Sequence, residues 1–294
     1  MKNYVIITDS CIDLPCELAN ELELVILPLA VNVEGKEYLN YLDERDITAK
    51  AFYQLLREHK KTSTAQATPQ NFIEVLTPLL EAGNDILSIS FSSQLSGTYS
   101  ASLVAKKELL EKFPDRVIHT IDSTCASMGQ GLLLTYAAHL KKEGKSLEEV
   151  STWVEENKLL VSHLFTVSDL GHLRRGGRLS ASKEILGTLL NVKPLLHVSL
   201  EGKLVVYGKA RGRYKSLNAL VNRMVETFDK SLDQIVYISH GDSLEDAMYV
   251  KSLVMEKLNV KDENIFVNTI GPVIGSHSGV DTLAIFYLGN ERTA

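Results

Sequence analysis

Short apolar runs alternate with helix-spaced apolar residues over the first half of the chain. Residues 4–8, 24–33, 86–91 and 117–122 read as strands. Residues 47–59 place Ile47, Phe52, Leu55 and Leu56 at helical spacing, and 70–82, 98–113, 128–142 and 146–158 read as further helices. Thr68-Pro69 is a helix start, with Thr as N-cap and Pro in the first turn. Ser10 or Asp13 is placed to cap a helix starting near Pro15. Pro28 has no N–H for a ladder, so the strand at 24–33 belongs near a sheet edge. Residues 61–68 are polar and without period, which reads as a loop.

Strand–helix alternation of this kind predicts a mostly parallel sheet covered by helices. After the helix at 146–158 the pattern changes. Strands at 164–167, 194–198, 203–209, 235–239, 265–270 and 282–288 are interrupted by two helices, 214–229 and 243–258, and Glu201-Gly202 reads as a hairpin tip. The expected fold class is therefore α/β, a parallel N-terminal domain over residues 1–162 joined to a mixed or antiparallel α+β domain over 163–294. No linker separates them, so the halves are expected to pack tightly.

Ligands in parallel sheets sit beyond the carboxyl ends of the strands. Here those ends are Thr8-Asp9-Ser10, the run from Ser92 to Gly97, and Asp122-Ser123-Thr124, all bearing hydroxyls. The run SSQLSGT enters a helix, and small hydroxyls with free N–H groups at a helix N-terminus suit an anionic head group. N-capping alone accounts for the same residues. GPVIGSHSG at 271–279 sets His277 between glycines where an esterase elbow has Ser. A nucleophile–base pair of Ser96 and His277 is the alternative this leaves open, a Ser/His-dependent acyl hydrolase or transferase, although no acidic orienter stands out. LRRGGRLS at 173–180 and KARGR at 209–213 are basic glycine-containing turns suited to an acidic partner or phosphate, or simply solvated.

Composition narrows the field. Over 294 residues the chain is 45% hydrophobic and 23% charged, with a net charge of -6, which argues against nucleic acid or an anionic membrane as the main partner. The apolar run near the N-terminus is too short for a signal peptide and no window is long enough to span a membrane, so the expected location is cytoplasmic. Three cysteines, Cys11, Cys16 and Cys125, form no zinc-like pattern, and there is no GxxxxGK[ST], GxGxxG, HExxH or CxxC, so neither metal nor nucleotide cofactor is expected.

The motifs TDSCIDLP (8–15), TAQATP (64–69), SSQLSGTYSAS (92–102), IDS (121–123), LRRGGRLS (173–180), LLNVKPLLHVSLEGKL (189–204) and GPVIGSHSG (271–279) together resemble the DegV family, in order and over nearly the whole chain. The resemblance implies a two-domain fatty-acid-binding protein with a tunnel between the domains. It also implies a carrier that presents the carboxylate of a bound long-chain fatty acid to a separate fatty acid kinase subunit, which makes the acyl phosphate for phospholipid synthesis. By position it makes Thr64 and Ser96 the hydroxyls that contact the carboxylate, His277 the neighbouring polar group and Gly97 a backbone donor. Thr62 and Ser63 are secondary candidates, because this chain has TAQATP where the family has TSQPSP, and Ser93 is a further secondary candidate. It further implies that Arg174, Arg175 and Arg178 face the kinase subunit. Hydroxyls and a His, without an arginine clamp, suit an exchangeable and reactive carboxylate.

Overall fold

The computed structural model describes residues 3–179, 191–231, 233–290 and 292. Ser180 of LRRGGRLS and Leu189-Leu190 of LLNVKPLLHVSLEGKL lie outside them.

In chain order the elements begin with β1 (Tyr4–Asp9), α1 (Cys16–Glu21), β2 (Val25–Leu27), β3 (Ala30–Val33), β4 (Lys36–Leu39), α2 (Ala49–Arg57) and β5 (Thr62–Ala65). They continue with α3 (Pro69–Glu81), β6 (Asp85–Ser90), α4 (Thr98–Lys112), β7 (Ile118–Asp122), α5 (Met128–Lys142) and α6 (Leu147–Asn157). The second half adds β8 (Val161–Thr166), α7 (Gly171–Arg175), β9 (Val192–Val198), β10 (Leu204–Arg211), α8 (Arg213–Thr227) and β11 (Val236–His240). It ends with α9 (Leu244–Leu258), β12 (Ile265–Thr269), α10 (Pro272–Ser278) and β13 (Leu283–Leu288).

The strands form three sheets. β2-β1-β6-β7 is wholly parallel, as the strand–helix alternation requires. Its central strand β6 is buried along its whole length, as expected for a strand covered on both faces. β10-β9-β8-β13-β11-β12 is mixed, antiparallel except where β11 meets β12. β4-β3-β5 is a small antiparallel sheet.

Four local readings are corrected. The run 24–33 is two strands in different sheets: β2 ends before Pro28, and Leu29 N–H donates to Ser10 Oγ at 3.0 Å. Ser10 and Asp13 do not cap α1: Pro15 holds the N-cap position with no side-chain cap, and Asp13 Oδ1 instead accepts from Gly271 N–H. The polar stretch after Lys61 is strand β5, held by β3, with Val31 opposite Thr64. The GPVIGSHSG stretch is helix α10, and the basic turn at 173–178 begins inside helix α7. Thr68 caps α3 as predicted, and Asn71 completes a reciprocal capping box.

One apolar core continues from the parallel sheet into the mixed one, taking in Ile7, Ile89 and Leu133 with Phe165, Leu196 and Phe286. A second core lies under α8 and α9. Polar bonds join the same regions: Tyr53 Oη donates to Ile270 O at 3.0 Å, Gly271 N–H to Asp13 Oδ1 at 2.9 Å, and Ser92 Oγ to Gly202 O at 2.8 Å. Arg292, buried near the C-terminus, donates to the carbonyls of Thr124 (2.7 Å), Lys158 (2.6 Å), Val161 (3.0 Å) and Ser199 (3.2 Å).

Candidate functional site: a cavity with one polar end

The turns after β1, β6 and β7 all reach one cavity, contributing Cys11, then Phe91, Leu95 and Ser96, then Ala126 and Ser127. These are the carboxyl ends of parallel strands, where such sheets place ligands. Asp9, at the end of β1, ties the turns together: Oδ1 accepts from Cys11 N–H at 3.1 Å and Oδ2 from Phe91 N–H at 2.9 Å. Burial raises its pKa, and those backbone donors oppose the shift. The opposite wall comes from the mixed sheet and α10, with His163, Phe165, Val198, Leu204, Ala284 and Phe286 among its lining.

The polar end is built by β5, α10 and the turn before α4. Thr64 Oγ1 lies 2.8 Å from His277 Nε2. Burial, aided by the positive charge of Arg178, pushes the His277 pKa down to about 4, so the ring is neutral at physiological pH. Its Nδ1 is buried with no hydrogen-bond partner, lying against Gly176, where an added Cβ would come within 2.2 Å of it. A proton on Nδ1 would be a buried unsatisfied donor, so the favoured tautomer carries it on Nε2 and donates to Thr64. The Thr64 hydroxyl hydrogen is then free to donate into the cavity. Ser96 Oγ lies 3.0 Å from Thr98 Oγ1, which accepts from Ala67 N–H at 3.3 Å, so the β5–α3 connection and the turn before α4 are held together.

Thr64, Ser96 and His277 thus line one cavity. The other candidates are placed differently. Thr62, Ser63 and Ser93 are not part of the lining, and Ser93 N–H donates instead to Asp122 Oδ1 at 3.1 Å. Nor is Gly97. A Cβ there would come to 2.0 Å from Gln66 Oε1, so the glycine's role is to leave room for the Gln66 amide, which does line the cavity.

Arg178 departs from its expected place with Arg174 and Arg175. The latter two are exposed at the end of α7, whereas Arg178 lines the cavity, its Nε donating to Leu95 O at 3.0 Å and its Nη1 to Gly176 O. An arginine therefore does stand at the polar end, partly engaged by backbone carbonyls. The sequence signal for it was weak, because nothing in RRGGR distinguishes the inward guanidinium from the outward two.

The hydrolase geometry is not formed. His277 faces Thr64, not Ser96, and its other nitrogen has no carboxylate to orient it. Among the described residues no group of His, Cys, Asp and Glu is arranged to hold a metal ion. No helix among them is long and apolar enough to cross a membrane.

An apolar cavity with hydroxyls, an imidazole and a guanidinium at one end, lined from both a parallel and a mixed sheet, is a site suited to an amphiphile. The chain belongs to the DegV family, whose profile, described as an uncharacterised protein family, matches residues 3–290. It is 44% identical over 99% of both chains to a DegV domain-containing protein of Clostridium perfringens. A DegV family protein of Thermus thermophilus whose structure concerns fatty acid binding shares the fold with a TM-score of 0.86, at 31% identity over 98% of this chain and 100% of that one. A stearic acid-binding protein of Eubacterium ventriosum gives a TM-score of 0.87 at 25% identity, covering 97% of this chain and 98% of that one.

Proposed function

We propose that this protein binds a long-chain fatty acid in the cavity and presents its carboxylate to a separate kinase subunit, which phosphorylates it to an acyl phosphate for phospholipid synthesis. The observation that carries the proposal is the polarity of the cavity, with Thr64, Ser96 and His277 at one end of an otherwise largely apolar lining. Burying an acyl chain is worth ~0.8 kcal/mol per methylene, on the order of 10 kcal/mol for a sixteen-carbon tail. That gain holds only where the carboxylate oxygens find hydrogen bonds. Thr64 and Ser96 donate from neutral hydroxyls, and His277 orients Thr64. Arg178 offsets the buried negative charge while its carbonyl partners keep it from clamping the head group.

The chemistry belongs to the partner, and this chain is the carrier. In this reading residues 1–162 supply the head-group hydroxyls Thr64 and Ser96, residues 163–294 supply the opposite wall, and the ligand lies between them. Exposed Arg174 and Arg175 meet the kinase subunit. Three free thiols, Cys11, Cys16 and Cys125, accord with a cytoplasmic carrier.

Mass spectrometry of the denatured, extracted protein tests the core of the proposal. A stoichiometric fatty acid is expected, and an empty protein that turns over acyl esters would overturn it. With a fatty acid kinase and ATP, Arg174→Glu/Arg175→Glu is expected to slow acyl phosphate formation at least tenfold while the extracted fatty acid stays stoichiometric. An unchanged rate removes the two arginines from the docking surface.

A further inference from the structure

The apolar body of the cavity is interrupted by hydroxyls that the carboxylate end does not use. The lining face of β13 carries Ala284 and Phe286, Thr282 lines the cavity just before the strand, and Ala284 stands opposite Ser239 of β11, which also lines the cavity. Thr282 Oγ1 donates to the carbonyls of Ser278 and Gly279, at 3.0 and 2.9 Å. Ser278, also in the lining, directly follows His277 on α10; it is only 7% exposed and its hydroxyl has no partner. Ser239 on β11, Thr282 at the entry to the neighbouring β13, and Ser278 at the end of α10, to which Thr282 is bonded, therefore form one patch.

The hydrogen-bonding capacity left in this patch is specific. Ser127 Oγ donates to Asp13 Oδ2 at 2.5 Å and lies 3.3 Å from Ser239 Oγ. With Asp13 ionised, the Ser127 proton is committed to it, Ser239 supplies the hydrogen of the second contact, and its lone pairs stay open. Thr282 has likewise used its proton and keeps lone pairs. Ser278 keeps both a proton and lone pairs. The patch thus offers one donor and several acceptors without net charge, the complement of an alcohol. A ketone, which only accepts, would engage Ser278 alone. A saturated chain laid across the patch would leave the buried Ser278 hydroxyl unpaired, which is unfavourable.

We infer that Ser278, Ser239 and Thr282 form a second polar subsite, and that the preferred ligand is a fatty acid with a hydroxyl group close to its carboxylate. The alcohol accepts from Ser278 and donates to Ser239 or Thr282. Ser278 adjoins His277 in the helix, which sets the subsite beside the head group and away from the distant end of the acyl chain. Because donor and acceptors come from different elements, only one enantiomer of the alcohol satisfies both. The inference rests on the fatty-acid reading of the cavity.

Delipidated protein loaded with isotope-labelled palmitic acid tests it by competition with palmitic acid, each enantiomer of β-hydroxypalmitic acid, and ω-hydroxypalmitic acid. One β-hydroxy enantiomer is expected to displace the label about tenfold more effectively than palmitic acid, a factor in line with one or two net hydrogen bonds. The other enantiomer and the ω-hydroxy acid are expected to compete no better than palmitic acid. Ser278→Ala should weaken the favoured enantiomer and tighten palmitic acid, bringing their ratio to about one. Ser239→Ala should reduce the same ratio. If palmitic acid binds and neither enantiomer surpasses it, or if Ser278→Ala keeps the ratio, the subsite is refuted while the fatty-acid reading stands. Failure of every acid to bind refutes both.

Discussion

His277 is held neutral by its surroundings, and that neutrality makes its contribution to stability depend on pH. Its pKa falls from 6.5 in the unfolded chain to about 4 in the fold, mainly through burial. Between those values the unfolded state binds the extra proton, so stability is complete above pH 6.5 and declines as the pH falls toward 4. Asp13 runs the opposite way: burial raises its pKa from 3.8 to about 7, so its contribution is greatest at low pH and is lost as the pH rises to 7. His277→Gln is expected to flatten the acid limb, reducing the stability lost between neutral and acidic pH by on the order of 2 kcal/mol in urea titrations. An unchanged limb would mean that the ring is not neutral in the fold. In the proposed ligand site, Ser96→Ala and Thr64→Val are each expected to weaken fatty-acid binding about tenfold, in line with one lost hydrogen bond. Competition with a labelled acid measures the change, and full affinity in Ser96→Ala would remove Ser96 from the head-group contact. At this scale the sequence announced hydroxyls and His277 well, since SSQLSGT and GSHSG stand out from their surroundings. It did not announce Arg178 or Ser278, whose inward direction is set by the turn after α7 and by α10 and not by neighbouring residue types.

Among the elements, the long amphipathic helices and the buried parallel strands were legible because one period runs through each of them. β5 and α10 were not. β5 is a polar four-residue strand that exists because β3 offers it a ladder. α10 is seven residues rich in Gly and Ser, poor intrinsic helix formers. Its small residues are needed for packing: a Cβ on Gly275 would lie 2.8 Å from both the Phe52 ring and Tyr53 Oη. Both rings are fully buried and have little room to retreat. Gly275→Ala is therefore expected to cost roughly 1 to 3 kcal/mol, as overpacking does, read as a lower denaturation midpoint. Gly97→Ala should differ. Its new methyl meets only the end of the flexible Gln66 side chain, so the fold is expected to survive while fatty-acid affinity changes.

Across the whole molecule, the α/β class and the order of the elements followed from the alternation of periods. The third sheet did not, because two of its strands sit in stretches that read as a loop or as part of a longer strand. Arg292 was also hidden from the sequence: a lone arginine near a chain end gives no sign of being buried against carbonyls from three separate segments. Arg292→Met should leave those carbonyls short of donors, at a cost of roughly 2 kcal/mol. Hydrogen exchange is then expected to quicken around Lys158–Leu160 and at the Ser199–Lys203 turn first. Uniform slow exchange there would show that the arginine is not what fastens these segments.

The cavity walls have a consequence for turnover in the cell. Thr64 comes from the small sheet, Phe91 from the end of the parallel sheet, and Phe165 and Phe286 from the mixed sheet, so the lining exists only when all three are assembled. A molecule held there binds the native chain and not the unfolded one, adding about 2.7 kcal/mol when its free concentration is a hundred times the dissociation constant. If the proposed fatty acid is that molecule, the lifetime of the protein against proteolysis is expected to follow its supply. Starving cells of exogenous and newly made fatty acid should shorten its half-life in a pulse-chase experiment, and restoring the supply should lengthen it without any change in synthesis.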